Sequence, residues 1–154
     1  MGRAKLVCPI FVVPALELLQ RETFMADAQF APLQGHKYVN LETFRKNGQG
    51  VRTPVWFAGD PPQGPPEKLY VYSTADSGKA KRIRNNGHVR VAPCDMRGKL
   101  LGEWIEARAE IVEGQEAQHG MQLLNKKYFP WRQILGFFSL FSRHKWVVFV
   151  IRPA

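Results

Sequence analysis

Apolar and polar residues alternate in short, closely spaced runs along most of this chain, which is the signature of half-buried strands rather than of long helices. From Lys37 to Arg45, Tyr38, Leu41 and Phe44 stand among polar partners, with one break in the alternation between 38 and 41. The cluster Asn47-Gly48-Gln49-Gly50 predicts the turn of a hairpin, and VRTPVWFA at 51–58 its return strand. Pro54 cannot donate to a ladder, so its position belongs at a sheet edge, at a bulge or where another group meets the backbone. GDPPQGPPE at 59–67, with four prolines, reads as a loop. Further strands are expected at 68–73, 88–95, 100–112 and 146–152. In the fifth of the six, Ile105, Ala107, Ala109 and Ile111 alternate with Trp104, Glu106, Arg108 and Glu110, giving one apolar face.

Helical spacing appears in three places. A short helix follows Ser77, with Ala80 and Ile83 on one face and Lys79, Arg82 and Asn86 on another. From Gly114, Ala117, Met121, Leu124 and Tyr128 form a core stripe. Pro130 then opens a second helix, in which Trp131, Ile134, Leu135, Phe138 and Phe141 share a face while Phe137 and Leu140 lie outside it. So many close hairpins exclude a doubly wound sheet and predict a mainly β fold with α elements: a six-stranded antiparallel barrel with flanking helices.

The formal charge of +9 points to an acidic partner, whether phosphorylated cofactor, nucleic acid or anionic lipid. The two cysteines, Cys8 and Cys94, make no disulfide framework and read as reduced thiols. The four histidines show no metal-ligand spacing, so no metal site is expected. The apolar run LVCPIFVVPALELL near the N-terminus is split by Pro9 and Pro14 and is too short to span a membrane. We read residues 1–24 as an extension, non-native or disordered, ahead of a single cofactor-binding domain at 25–154. A cytoplasmic protein is expected.

The chemistry concentrates between Leu69 and Asp95. Ser73 and Thr74 end a strand, Ser77 stands at a helix N-cap, and Gly78 and Lys79 follow in a first turn whose backbone N–H groups have no internal partner. Two hydroxyls, a small residue, free N–H groups and a lysine one turn in make a phosphate cradle. No acidic residue interrupts 77–94. A solvated helix face would carry the same run of charges.

The order RTPVWF at 52–57, a Pro-rich loop, YSTADSGKAKRIRNNGHVRV at 72–91, APCD at 92–95 and GEWIEARAEIV at 102–112 resembles the flavin-binding split-barrel superfamily of pyridoxamine 5′-phosphate oxidases. The TPVW and SGKAKRIRN wording is most similar to the branch that uses the deazaflavin coenzyme F420. The likeness covers roughly 37–152 and implies a split barrel, with a homodimer that builds the cofactor site between subunits. The surplus apolar Phe137 and Leu140, with Trp131, suit a partner subunit as well as a buried helix. The resemblance implicates Arg52, Thr53, Pro54 and Val55 in contacts along the cofactor, and Ser73, Thr74, Ser77, Gly78 and Lys79 in holding phosphate. Two positions depart from the oxidase pattern. Phe57 stands where those enzymes carry lysine and Gly78 where they carry arginine, which removes positive charge from a flavin mononucleotide (FMN) site and favours the deazaflavin F420 branch or an unassigned flavoprotein.

The implied activity is that of an oxidoreductase, a deazaflavin enzyme or flavoprotein, moving hydride to or from a small organic substrate. No acid, base or nucleophile stands out: Asp95 and Arg97 read as a turn pair, and Cys94 as a buried thiol. The alternatives are an FMN-dependent oxidase-like protein, a flavin or haem binder without turnover, and a single-strand nucleic-acid binder. The last requires aromatics interleaved with basic residues on strands, whereas here the cations cluster around one helix.

Overall fold

The structure, a computed structural model, describes residues 29–129 and 145–154 together with Ala15 and Leu19. The readings made for residues 1–24, Ala15 and Leu19 apart, and for the helix after Pro130 lie outside the described residues. Among the described residues seven strands form one antiparallel sheet: β1 (Tyr38–Phe44), β2 (Gly50–Trp56), β3 (Ala58–Asp60), β4 (Lys68–Thr74), β5 (His88–Cys94), β6 (Ile105–Val112) and β7 (Trp146–Pro153). Helix α1 (Gly78–Asn85) joins β4 to β5, and α2 (Gly114–Lys127) follows β6. The strand order is β2-β1-β5-β6-β7-β4-β3, so the two edge strands are neighbours in sequence with only Phe57 between them. The sheet therefore curls into a half-barrel.

That single residue corrects the expected count of six. The segment expected as one strand over 51–58 pairs with β1 as far as Trp56, opposite Tyr38, and then with β4 from Ala58, opposite Tyr70. At the change of partner the backbone of Phe57 would be left without a ladder. The Tyr128 hydroxyl fills the gap: it accepts from the Phe57 N–H at 3.1 Å and lies 2.8 Å from the Phe57 carbonyl and 2.6 Å from that of Lys37. β3 also takes the first residues of the expected Pro-rich loop. The long strand begins at Ile105 rather than at 100, because Pro93 has no N–H to extend the β5–β6 ladder beyond Val91 opposite Ile105.

Alternation sorts the two faces. Val39, Leu41, Val55, Leu69, Val71, Val89, Val91, Phe149 and Ile151 point inward, with Ala80 and Ile83 of α1 packed among them. Tyr70, Val148 and Val150 point outward and are covered by Leu124 and Tyr128 at the C-terminal end of the α2 stripe. The unbroken apolar run at 146–151 is thus a strand buried on both faces from Val148 to Ile151, with Trp146 exposed at its start. Among the described residues no helix is long and apolar enough to cross a membrane.

Candidate functional site

Ser77 caps α1 as its position predicts, its Oγ accepting from the Ala80 N–H at 3.2 Å. Ser73, buried at the end of β4, meets it: its hydroxyl lies 3.1 Å from Ser77 Oγ and accepts from Lys79 Nζ at 3.2 Å. Thr74, the next residue of β4, is half-buried opposite Trp146 and alternates to the other face of the strand. Strand end, cap and lysine therefore converge on one point. Arg82 joins from the next turn of α1. Its Nε donates to Thr43 Oγ1 at 2.7 Å, and its Nη1 lies 2.9 Å from where a Cβ on residue 78 would stand.

The cluster is electrostatically unbalanced. Desolvation, and then the charge of Arg82, lowers the pKa of Lys79; desolvation, and then the charge of Arg45, lowers that of Arg82. Among the described residues neither cation has a carboxylate within ion-pair distance. A phosphate at this point would relieve the repulsion and accept from the free N–H groups of the first turn.

The residues of β2 divide by face. Thr53 and Val55 lie opposite Leu41 and Val39 on the inner side. Arg52 and Pro54 lie on the outer side, where Arg52 Nε donates to Glu42 Oε1 at 3.1 Å. Glu42 is 3% exposed and also pairs with Arg90. Both guanidinium groups stack on Trp104, at 4.9 and 5.2 Å from its ring centre. Pro54 sits on the edge strand, as its missing donor requires.

A cavity of about 990 Å³ opens at the other end of β2, beside Trp56 and Phe57. Trp56 stacks on Tyr128 at 4.8 Å, and the Lys127 ammonium sits 3.6 Å from the centre of the Phe57 ring while donating to the His36 carbonyl at 2.9 Å. Desolvation lowers the Lys127 pKa to about 8. Thr43 pairs with Val51, so the cradle and the cavity stand at opposite ends of β2, roughly 16 Å apart at a strand's rise of about 3.3 Å per residue.

Beside each of the two positions that depart from the oxidase pattern stands a cation from elsewhere in the chain. Arg82 Nη1 stands over Gly78, and the Lys127 ammonium stands over the Phe57 ring. Neither was chosen from sequence as a site residue, although Arg82 stood on the basic face of its helix and one turn beyond Gly78. Asp95 is a turn residue: its carboxylate accepts from the Arg97 and Lys99 N–H groups, and chiefly the Lys99 bond lowers its pKa. Cys94 is buried, and desolvation raises the pKa of its thiol.

Residues 25–153 match the family model of pyridoxamine 5′-phosphate oxidase. No curated protein matches the chain. Among solved structures, a candidate pyridoxamine 5′-phosphate oxidase from Listeria innocua is similar at 19% identity and a TM-score of 0.56, over 84% of this chain and 93% of that one. A conserved hypothetical protein from Mycobacterium tuberculosis gives 24% and 0.57 over 86% and 79%. The haem storage protein HutZ from Vibrio cholerae gives 16% and 0.56 over 88% and 90%. At these identities the structures speak for the fold.

Proposed function

The chain belongs to the pyridoxamine 5′-phosphate oxidase family, and from that premise we propose that it is an oxidoreductase holding a phosphorylated flavin or deazaflavin, FMN or coenzyme F420, against a small organic substrate. The observation that carries this reading is the convergence of Ser73, Ser77 and Lys79 on the first turn of α1, with Arg82 beside them and, among the described residues, no carboxylate paired to either cation. These residues suit a phosphate in charge, donor number and access. The bound ring would supply hydride chemistry.

The protein's own part is binding and orientation. Lys79 and the α1 N–H groups fix the phosphate end, and the backbone of the edge strand β2, from Arg52 to Val55, leads toward the cavity. Trp56, Phe57 and Tyr128 offer apolar walls that exclude water, and Lys127 offers a cation to an anionic substrate. Arg82 and Lys127 restore charge that FMN would use, which supports FMN beside F420.

The fold is also that of HutZ, and a haem binder without turnover would use the same cations for propionates. Titration of the purified protein with FMN, F420 and haemin, followed by cofactor fluorescence and absorption, tests the proposal. Saturable binding of FMN or F420 is expected. Saturable binding of haemin alone would replace the oxidoreductase reading with the haem one.

A further inference from the structure

We propose that Lys127 is the proton donor of the cavity: when hydride enters one atom of a substrate's polarised double bond, the ammonium of Lys127 protonates the atom left negative beside it. The inference rests on the cofactor reading above for the source of the hydride, but its observations concern the cavity alone.

The ammonium is held in place. It lies 3.6 Å from the centre of the buried Phe57 ring and donates to the His36 carbonyl at 2.9 Å, with the centre of the Tyr128 ring 5.4 Å away. An ammonium has three donors, so the carbonyl leaves others for a substrate. Among the described residues no carboxylate lines the cavity of about 990 Å³ or pairs with Lys127. The other ionisable groups in the lining are His36, Lys37 and Tyr38 from the start of β1 and the segment before it, and Lys126 and Tyr128 from the C-terminal end of α2. The Tyr128 hydroxyl is committed to the backbone of Phe57 and Lys37, and desolvation raises its pKa, so it is no acid near neutral pH.

Lost hydration acts on Lys127 in the opposite sense and lowers its pKa to about 8. Such a group still carries its proton at pH 7 and releases it more readily than an ordinary lysine, which is what general acid catalysis requires. Lys127 also reaches solvent, so the amine left behind regains its proton from water. The step balances without a further reagent. Hydride from the reduced flavin or deazaflavin forms a C–H bond as the substrate's π bond breaks. The π electrons pass to the neighbouring atom, which takes the proton as a Lys127 N–H bond breaks and a neutral amine remains. The substrate gains two electrons and the cofactor is oxidised.

Two measurements on the whole chain test this. Without cofactor, competitive labelling of lysines by acetic anhydride, read by peptide mass spectrometry, should show Lys127 half-labelled near pH 8 rather than near the usual lysine pKa of about 10.4. With reduced F420 or FMN bound, two probes are compared: 2-cyclohexenone, which needs a proton as well as hydride, and 10-methylacridinium, which takes hydride alone. Lys127→Met should slow enone reduction roughly a hundred- to ten-thousandfold, slow the acridinium far less, and abolish the fall in enone rate above pH 8. Lys127→Arg keeps the charge but holds its proton, and should be as slow on the enone as Lys127→Met. Melting temperatures establish that the variants fold. A wild-type enone rate in Lys127→Arg, equal losses on both probes, or a wild type that reduces the acridinium and not the enone overturns the proposal. If a cofactor binds and Lys127 labels like an ordinary lysine, the cofactor reading stands and the proton donor falls. If neither cofactor binds, that reading fails and the labelling alone decides: half-labelling near pH 8 keeps a proton donor in the cavity, and ordinary labelling removes it.

Discussion

Replacing Tyr128 by Phe removes one oxygen from the seam where the sheet's two edges share a chain segment. The ring stays, so the stacking on Trp56 at 4.8 Å should survive. What goes is the acceptor of the Phe57 N–H and the donor to the carbonyl of Phe57 or Lys37. Stranding a buried donor costs about 1–3 kcal/mol, and a lost neutral hydrogen bond about 0.5–1.5 kcal/mol. The sum, about 2–4 kcal/mol, is a large fraction of the roughly 5–15 kcal/mol that holds a domain together. In urea the midpoint should fall by roughly 1–2 M with the slope unchanged. Tyr70→Phe is the control, since the Tyr70 hydroxyl bonds side chains, Glu116 at 3.4 Å and Lys68, and leaves no backbone group stranded. There is also a pH signature. Desolvation raises the Tyr128 pKa above the usual 10, so the neutral phenol favours the folded state; that contribution is intact below pH 10 and is lost as pH rises beyond it, where the unfolded phenol ionises first. Tyr128→Phe should therefore lose less stability above pH 10 than wild type. A variant within 0.5 kcal/mol of wild type, on the order of a surface substitution, would mean that the seam does not depend on this hydroxyl.

Four further outcomes follow from the geometry. Lys79→Ala should weaken binding of the phosphorylated cofactor roughly ten- to a hundredfold, while the exposed Lys81→Ala should change it little; equal losses, both erased by salt, would reduce the cradle to a diffuse field. Glu42→Ala should cost about 3 kcal/mol in chemical denaturation, because it leaves two arginines facing a buried vacancy, whereas Arg52→Ala, on the exposed side of the pair, should cost under about 1 kcal/mol; the opposite order would refute the account. Gly120→Ala should lower the melting temperature, although alanine favours helix by about 1 kcal/mol, because its Cβ would stand 2.5 Å from the buried Tyr70 ring; a higher melting temperature would show that the ring yields. Light scattering at micromolar concentration should give twice the chain mass of 17.6 kDa, with Leu101→Glu driving it to monomer, since Met96, Leu100 and Leu101 are exposed together in one short segment; a monomeric wild type would remove the second subunit from the site.

The alternating runs determined most of the strands because a strand's inner and outer faces follow from a period of two, which one sequence displays. The cap at Ser77, the helix after it and the edge position of Pro54 were equally legible, since each depends on local backbone donors. The cradle of Ser73, Ser77 and Lys79 could be read because its members lie within seven residues. What the chain could not reveal depends on distant residues. The split of one expected strand at Phe57 is decided by which strands lie on either side of it and by a hydroxyl 71 residues away. Likewise, Glu42 lies between Arg52 and Arg90 only because β1 runs between β2 and β5. Sequence registered the missing charges at 57 and 78 as losses. Only tertiary structure shows that Lys127 lies over Phe57 and Arg82 over Gly78, because electrostatics depends on where a cation's head lies in space and not on which residue of the chain carries it.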